Sequence, residues 1–149
     1  MASVLAAFAV CVLPATADDG PADAMSLSKG FHIPLVDLSQ DTDRHVIVAA
    51  GTDAVYQGHP TTVLLPDGKT MLAVWTYGHG GVCGPMKKST DGGKTWGELL
   101  PVPESWREVR NCPAIYRLID PQGKARLFVF AMHAGGLVSS CSEDDGASW

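Results

Sequence analysis

Apolar positions recur along this chain in short runs rather than at helical spacing. Runs at 61–65, 71–76, 114–119 and 127–132 are rich in β-branched, aromatic and other apolar residues, and each is bounded by Gly, Pro or Asp. That is the pattern of short strands joined by tight turns. Beyond residue 17 no segment carries a convincing helical period, so the chain is expected to be all-β.

The strands fall into two copies of one unit. Ser89-Thr90-Asp91-Gly92-Gly93-Lys94-Thr95-Trp96 and Ser142-Glu143-Asp144-Asp145-Gly146-Ala147-Ser148-Trp149 share S-x-D-x-G-x-x-W, 53 positions apart. At ordinary residue usage such a match arises by chance at roughly one start in a few hundred thousand. The likeness extends upstream. Pro60, the turn Pro66-Asp67-Gly68-Lys69, then Leu72-Ala73-Val74-Trp75 and Gly80-Gly81-Val82 parallel Pro113, Pro121-Gln122-Gly123-Lys124, Leu127-Phe128-Val129-Phe130 and Gly135-Gly136-Leu137. Each unit reads as strand, turn, strand, loop, strand, box, strand, the four-stranded period of a propeller blade. The box has a structural logic. Its Asp accepts backbone N–H groups within the turn, Gly supplies positive φ, and Trp packs across the hairpin with its indole N–H seeking an acceptor. Asp91 and Asp144 are therefore not expected to be catalysts.

The boxes and their flanking strands resemble the Asp-box, or bacterial neuraminidase repeat, of the sialidase superfamily. Gly58-His59-Pro60-Thr61-Thr62-Val63-Leu64-Leu65, Gly78-His79-Gly80 and Leu100-Pro101-Val102-Pro103-Glu104-Ser105-Trp106 are further similar to secreted bacterial sialidase-like proteins. The resemblance implies a six-bladed β-propeller, of which 18–149 would supply about the first two blades, breaking off at the second box. It also implies a glycoside hydrolase acting on terminal sugars of glycans, monomeric as the full-length protein. The segment 45–48, His-Val-Ile-Val, is expected to be an outer strand that completes the final blade.

Strand parity places the boxes and the 66–69 turn on one side of such a fold. The links 51–59 and 101–112 and the loops 77–84 and 133–136 fall on the other, the side where the resemblance locates the active site. His59, His79 and Asp53 are the candidate catalytic residues there. Tyr56, Trp106, Arg107 and Arg110 are candidates for binding substrate, with aromatic faces for sugar rings and planar guanidinium forks for carboxylates. Tyr77, Glu104, Glu108, Asn111 and His133 share the rim. Structural roles compete: His59 could bond a neighbouring blade, Trp106 could plug a gap between blades, and Arg107 and Arg110 could form solvated pairs with Glu104 and Glu108.

Sialidases use a Tyr nucleophile activated by a Glu, with an Asp as acid/base, and hold the sugar carboxylate with three Arg. The first of these belongs to a Phe/Tyr-Arg-Ile-Pro motif. Here Phe31-His32-Ile33-Pro34 puts His32 at that position, so His32 is a candidate substrate contact that lacks the bidentate fork. The nucleophile pair and later Arg residues are expected beyond Trp149. Two other readings stay open: a non-catalytic propeller that binds glycan or protein, and a different glycan hydrolase or lyase using His59 or His79 as acid or base.

Residues 1–17 carry no charge and hold an apolar run, Val4 to Leu13, before Ala15-Thr16-Ala17. This reads as a signal peptide cut after Ala17, making the protein secreted or periplasmic; the run is too short for a membrane span. Cleavage leaves Cys83, Cys112 and Cys141, an odd number for an oxidising compartment. None lies in a zinc spacing and no EF-hand loop occurs, so neither metal nor cofactor is expected. With 11 Lys+Arg against 16 Asp+Glu, a net charge of −5 argues against a nucleic-acid partner.

Overall fold

The computed structural model describes residues 35–149, and Leu38–Trp149 form one compact unit. The signal segment, Cys11 and the Phe31-His32-Ile33-Pro34 stretch lie outside the described residues. The described chain is all-β: two antiparallel three-stranded sheets and two short 3-10 turns, Thr42–Arg44 and Glu104–Glu108. The first sheet is β1 (Gln57–Leu64), β2 (Met71–Tyr77) and β3 (Cys83–Ser89); the second is β4 (Arg110–Ile119), β5 (Ala125–His133) and β6 (Gly136–Ser142). In each sheet the strands lie in sequence order, as hairpin connections require.

The four apolar runs fall in β1, β2, β4 and β5, and each sheet has three of the four strands expected per unit. β1 and β4 begin before the apolar run because a bulge carries each across its Pro. The β1–β2 register slips between Gly58 and Thr61, and the β4–β5 register between Arg110 and Ala114. Pro60 and Pro113 have no N–H to give a ladder, so they sit where the ladder is already interrupted.

The fourth strand expected after the box is reduced, in the first unit, to a bridge between Lys87 and Leu99 with Leu100 N–H donating to the Met86 carbonyl at 2.8 Å. Pro101 and Pro103 follow at once and remove the donors that would extend it. Neither sheet closes on another. The segment 45–48 forms no strand: Ile47 is exposed, and the His45 ring turns back to within 3.0 Å of the Leu38 carbonyl. That local bond and the preceding 3-10 turn curl the segment on itself.

The sheets share one core. Leu65, Leu72, Val74, Cys83 and Met86 of the first unit and Trp106 of the link form a single cluster with Ile115, Leu127, Val129 and Ala131 of the second. β2 is buried from Leu72 through Thr76, which is why its apolar run is continuous rather than alternating. β1 and β4 are joined through a side chain: Thr61 Oγ1 donates to the Pro113 carbonyl at 2.9 Å and accepts from Ile115 N–H at 3.1 Å.

The repeat is not uniform inside. Six residues separate the paired Leu64 and Met71, but nine separate the paired Arg117 and Leu127. Conversely, five residues lie between Tyr77 and Cys83, where β5 and β6 are joined by Ala134 and Gly135 alone. Three residues added to one hairpin are thus removed from the next loop, which preserves the 53-residue spacing of the boxes. The similar texts Gly80-Gly81-Val82 and Gly135-Gly136-Leu137 consequently have different structures. Ala134 and Gly135, at φ 46° and 82°, make a two-residue hairpin; residues 78–82 make a broader loop that carries His79.

Candidate functional site

The two boxes are near copies in three dimensions. Ser89 Oγ donates to Asp91 Oδ1 at 2.8 Å and accepts Gly93 N–H at 2.9 Å, while Asp91 accepts Thr95 N–H at 2.9 Å and Thr95 Oγ1–H at 2.6 Å. Ser142, Asp144, Gly146 and Ser148 repeat each of these bonds. The Thr95 and Ser148 hydroxyls, with the backbone N–H groups, hold Asp91 and Asp144 at about 2, far below the ordinary carboxylate range. Such carboxylates serve as fixed acceptors. The indoles differ: Trp96 Nε1 donates to the Gly93 carbonyl at 3.0 Å, whereas Trp149 Nε1 is buried without a partner and its ring packs on Trp106.

Each box lies at the end of β2 or β5 opposite the rim, since Ser89 pairs with Met71 and Ser142 with Leu127. At the other end the 78–82 loop is tied on both flanks. Gly78 N–H donates to the Tyr56 carbonyl at 2.7 Å, Thr76 Oγ1 donates to the Gly78 carbonyl at 2.9 Å, and Asn111 N–H donates to the Gly81 carbonyl at 3.2 Å. Cys83 N–H reaches the Val109 carbonyl at 2.9 Å, and Val82 bridges Arg110. The link before the second sheet therefore zips onto this loop. Gly81 is sterically required, since a Cβ there would run into the Tyr77 carbonyl oxygen, and Gly80 is favoured by its φ of 69°, with Asn111 Oδ1 against its open side.

This bracing brings His59 and His79 together. Their rings lie 4.8 Å apart between centroids, tilted by 51°, with His59 Nε2 3.2 Å from His79 Nδ1. His59 occupies the β1 bulge at φ 49°, a backbone state that side-chain-bearing residues rarely adopt. Asn111, at φ 61° in the corresponding bulge of β4, is the rim residue whose carboxamide packs beside Gly80. Tyr56 is exposed, with its ring against Gly58: a Cβ there would meet Tyr56 Cε1 at 2.8 Å.

The remaining candidates disperse. Asp53 lies exposed in the 52–55 turn, whose Thr52 Oγ1 accepts the Val55 N–H at 3.1 Å. Arg107 is paired with Glu104 at 2.9 Å, both largely in solvent, where such a pair is worth about 0–1 kcal/mol. Arg110 is exposed at the start of β4, opposite Met132. Trp106 is 4% exposed, its ring meets Trp149 at 5.4 Å, and it also lines the cleft described below. The 3-10 turn Glu104–Glu108 folds it inward, into the gap-filling position that the sequence offered as the alternative. His32 lies outside the described residues.

A cleft of about 300 Å³ that parity alone did not reveal opens between that 3-10 turn and the β5–β6 edge. Cys83, Trp106, Val129 and Ala131 line it together with Ser105, Glu108 and His133. His133 Nε2 stands 3.5 Å from Glu108 Oε2 across the mouth. Burial pushes the Cys83 thiol up to about 12, which removes it as a nucleophile. Among the described residues no group of three or more His, Cys, Asp or Glu converges as a metal centre, and no helix is long and apolar enough to cross a membrane. No protein-family model, curated protein or solved structure matches the chain.

Proposed function

We propose that this chain is part of a secreted or periplasmic, sialidase-like six-bladed propeller that acts on terminal sugars of glycans. The two sheets are read as neighbouring blades, with β1 and β4 as their innermost strands. The observation that carries the reading is the rim opposite the boxes, where Tyr56, His59, His79 and Asn111 are held together by the 78–82 loop. In this reading His59 and His79 relay a proton to or from the sugar, and Arg110 at the adjoining edge meets its anionic group. Because this reading puts the nucleophile pair beyond Trp149, the test is incubation of the whole propeller that contains this chain with sialylated and neutral glycoconjugates, with chromatographic measurement of released sugar. Release is expected to fall by about 10²–10⁴ in His59→Ala. Glycans that are neither bound nor cleaved would overturn the proposal.

A second reading, a rim that binds glycan without cleaving it, is favoured by the state of its acids. Glu104 is engaged by Arg107, and Glu108 stands beside His133. Glycan binding with no release, unchanged in Glu108→Gln, would select it.

A further inference from the structure

We propose that His59 Nε2 and His79 Nδ1 form a two-histidine site for a divalent transition ion of the zinc class. The geometry carries this. The two nitrogens stand 3.2 Å apart, and two imidazole nitrogens bound at 2.0–2.1 Å to one tetrahedral ion stand roughly 3.3 Å apart. The separation therefore fits chelation, and a rotation of the rings that turns both lone pairs toward one point lets an ion replace the hydrogen bond between them. On binding, the donor ring moves its proton to its other nitrogen through solvent, and a ring that was protonated releases one proton. Affinity consequently falls in acid.

The way the pair is held points the same way. His59 is kept at φ 49° within a bulge, a strained backbone state that recurs where a side chain must be aimed. Burial does not offset that strain, because His59 is only half-buried and His79 is exposed. The partner loop is locked by Gly78, Gly80 and Gly81, two of them at positive φ, and by bonds to Tyr56 and Asn111. The result is two closely spaced imidazole nitrogen donors on a braced, solvent-open rim. No third His, Cys, Asp or Glu joins them among the described residues, so further coordination positions are left for water and for an oxygen ligand such as a sugar hydroxyl or carboxylate. Imidazole donors select zinc, copper or nickel over magnesium or calcium.

This inference stands on the ring geometry and not on the glycan reading, and its test contains no sugar. The full chain is titrated with Zn²⁺ by calorimetry and with Co²⁺ by visible absorption. One ion per chain is expected, with a nitrogen and oxygen ligand spectrum. Binding should weaken at least about tenfold in His59→Gln and in His79→Gln while His45→Ala retains it. His79 lies in an exposed loop, so His79→Gln keeps the test valid should His59→Gln fold poorly; melting curves establish which variants are folded. Equal affinity of the parent and His79→Gln would overturn the assignment. So would a sulfur-to-cobalt charge-transfer band, which would put the ion on Cys112 or Cys141.

Discussion

Among the described residues four aspartates do the same local work, each closing a turn by accepting backbone N–H groups. Asp67 takes Lys69 and Thr70 N–H groups at 2.9 and 2.8 Å and the Thr70 hydroxyl at 2.6 Å, and that hydroxyl is the main reason it sits at about 2. Asp120 takes Gln122 and Lys124 N–H groups and is lowered first by Arg126, which also reaches Glu143. A carboxyl whose folded value is depressed stabilises the fold fully above its unfolded value near 4, and that contribution disappears as pH falls toward the folded value. Stability is therefore expected to be flat near neutrality and to drop between about pH 4 and 2. Denaturant titrations across that range check this, and Asp91→Ala should show a shallower acid slope than the parent. The buried Ser89 hydroxyl holds the same turn from below, so Ser89→Ala should lose about 1–3 kcal/mol, read from the shift in denaturation midpoint.

At the scale of elements, the sequence words predicted the strands but not the connections between them. Gly-Gly-Val and Gly-Gly-Leu look equivalent, yet one belongs to a five-residue loop and the other closes a two-residue hairpin. Connection length depends on which residues pair across the sheet, a long-range property that a short word does not contain. The loop is also where the candidate site is built, so its glycines matter unequally. Within the loop Gly78 has open space around its Cα hydrogens, whereas a methyl on Gly81 would collide with the Tyr77 carbonyl; Gly123, at φ 84° in the β4–β5 hairpin, likewise has open space but lies outside the loop. Gly81→Ala is therefore expected to cost about 1–3 kcal/mol through overpacking and to separate the two imidazoles. Loss of the His59–His79 proximity in NMR spectra checks it, with Gly123→Ala retaining the contact as the comparison.

For the whole molecule, the register identifies matching faces of the two sheets. Val63 pairs with Leu72 and Thr61 with Val74; Tyr116 pairs with Phe128 and Ala114 with Phe130. In the first sheet Leu72 and Val74 lie in the shared core. In the second sheet the corresponding face presents stacked Phe128 and Phe130, 5.8 Å apart, beside a Tyr116 that is 52% exposed. With Tyr116 and Leu137 exposed beside open sheet edges, this face is expected to associate. Light scattering at micromolar concentration is expected to show self-association, reduced in Tyr116→Lys. A monodisperse, cooperatively melting monomer would contradict both this expectation and the reading of the sheets as open blades.

The sequence by itself determined the all-β class, the two units, the internal logic of the boxes and the end of the sheets on which the rim lies. Each of these follows from local rules: period-two and apolar-run patterning, turn chemistry within eight residues, and the parity of antiparallel strands. Only the tertiary structure decided which rim residues meet. His59 and His79 are twenty positions apart with no ligand spacing between them, and they touch because a bulge at Pro60 and a glycine loop pinned from a neighbouring link converge. The same structure sent Trp106 inward, where an apolar gap between two sheets gives its ring more burial than a solvent-facing rim could.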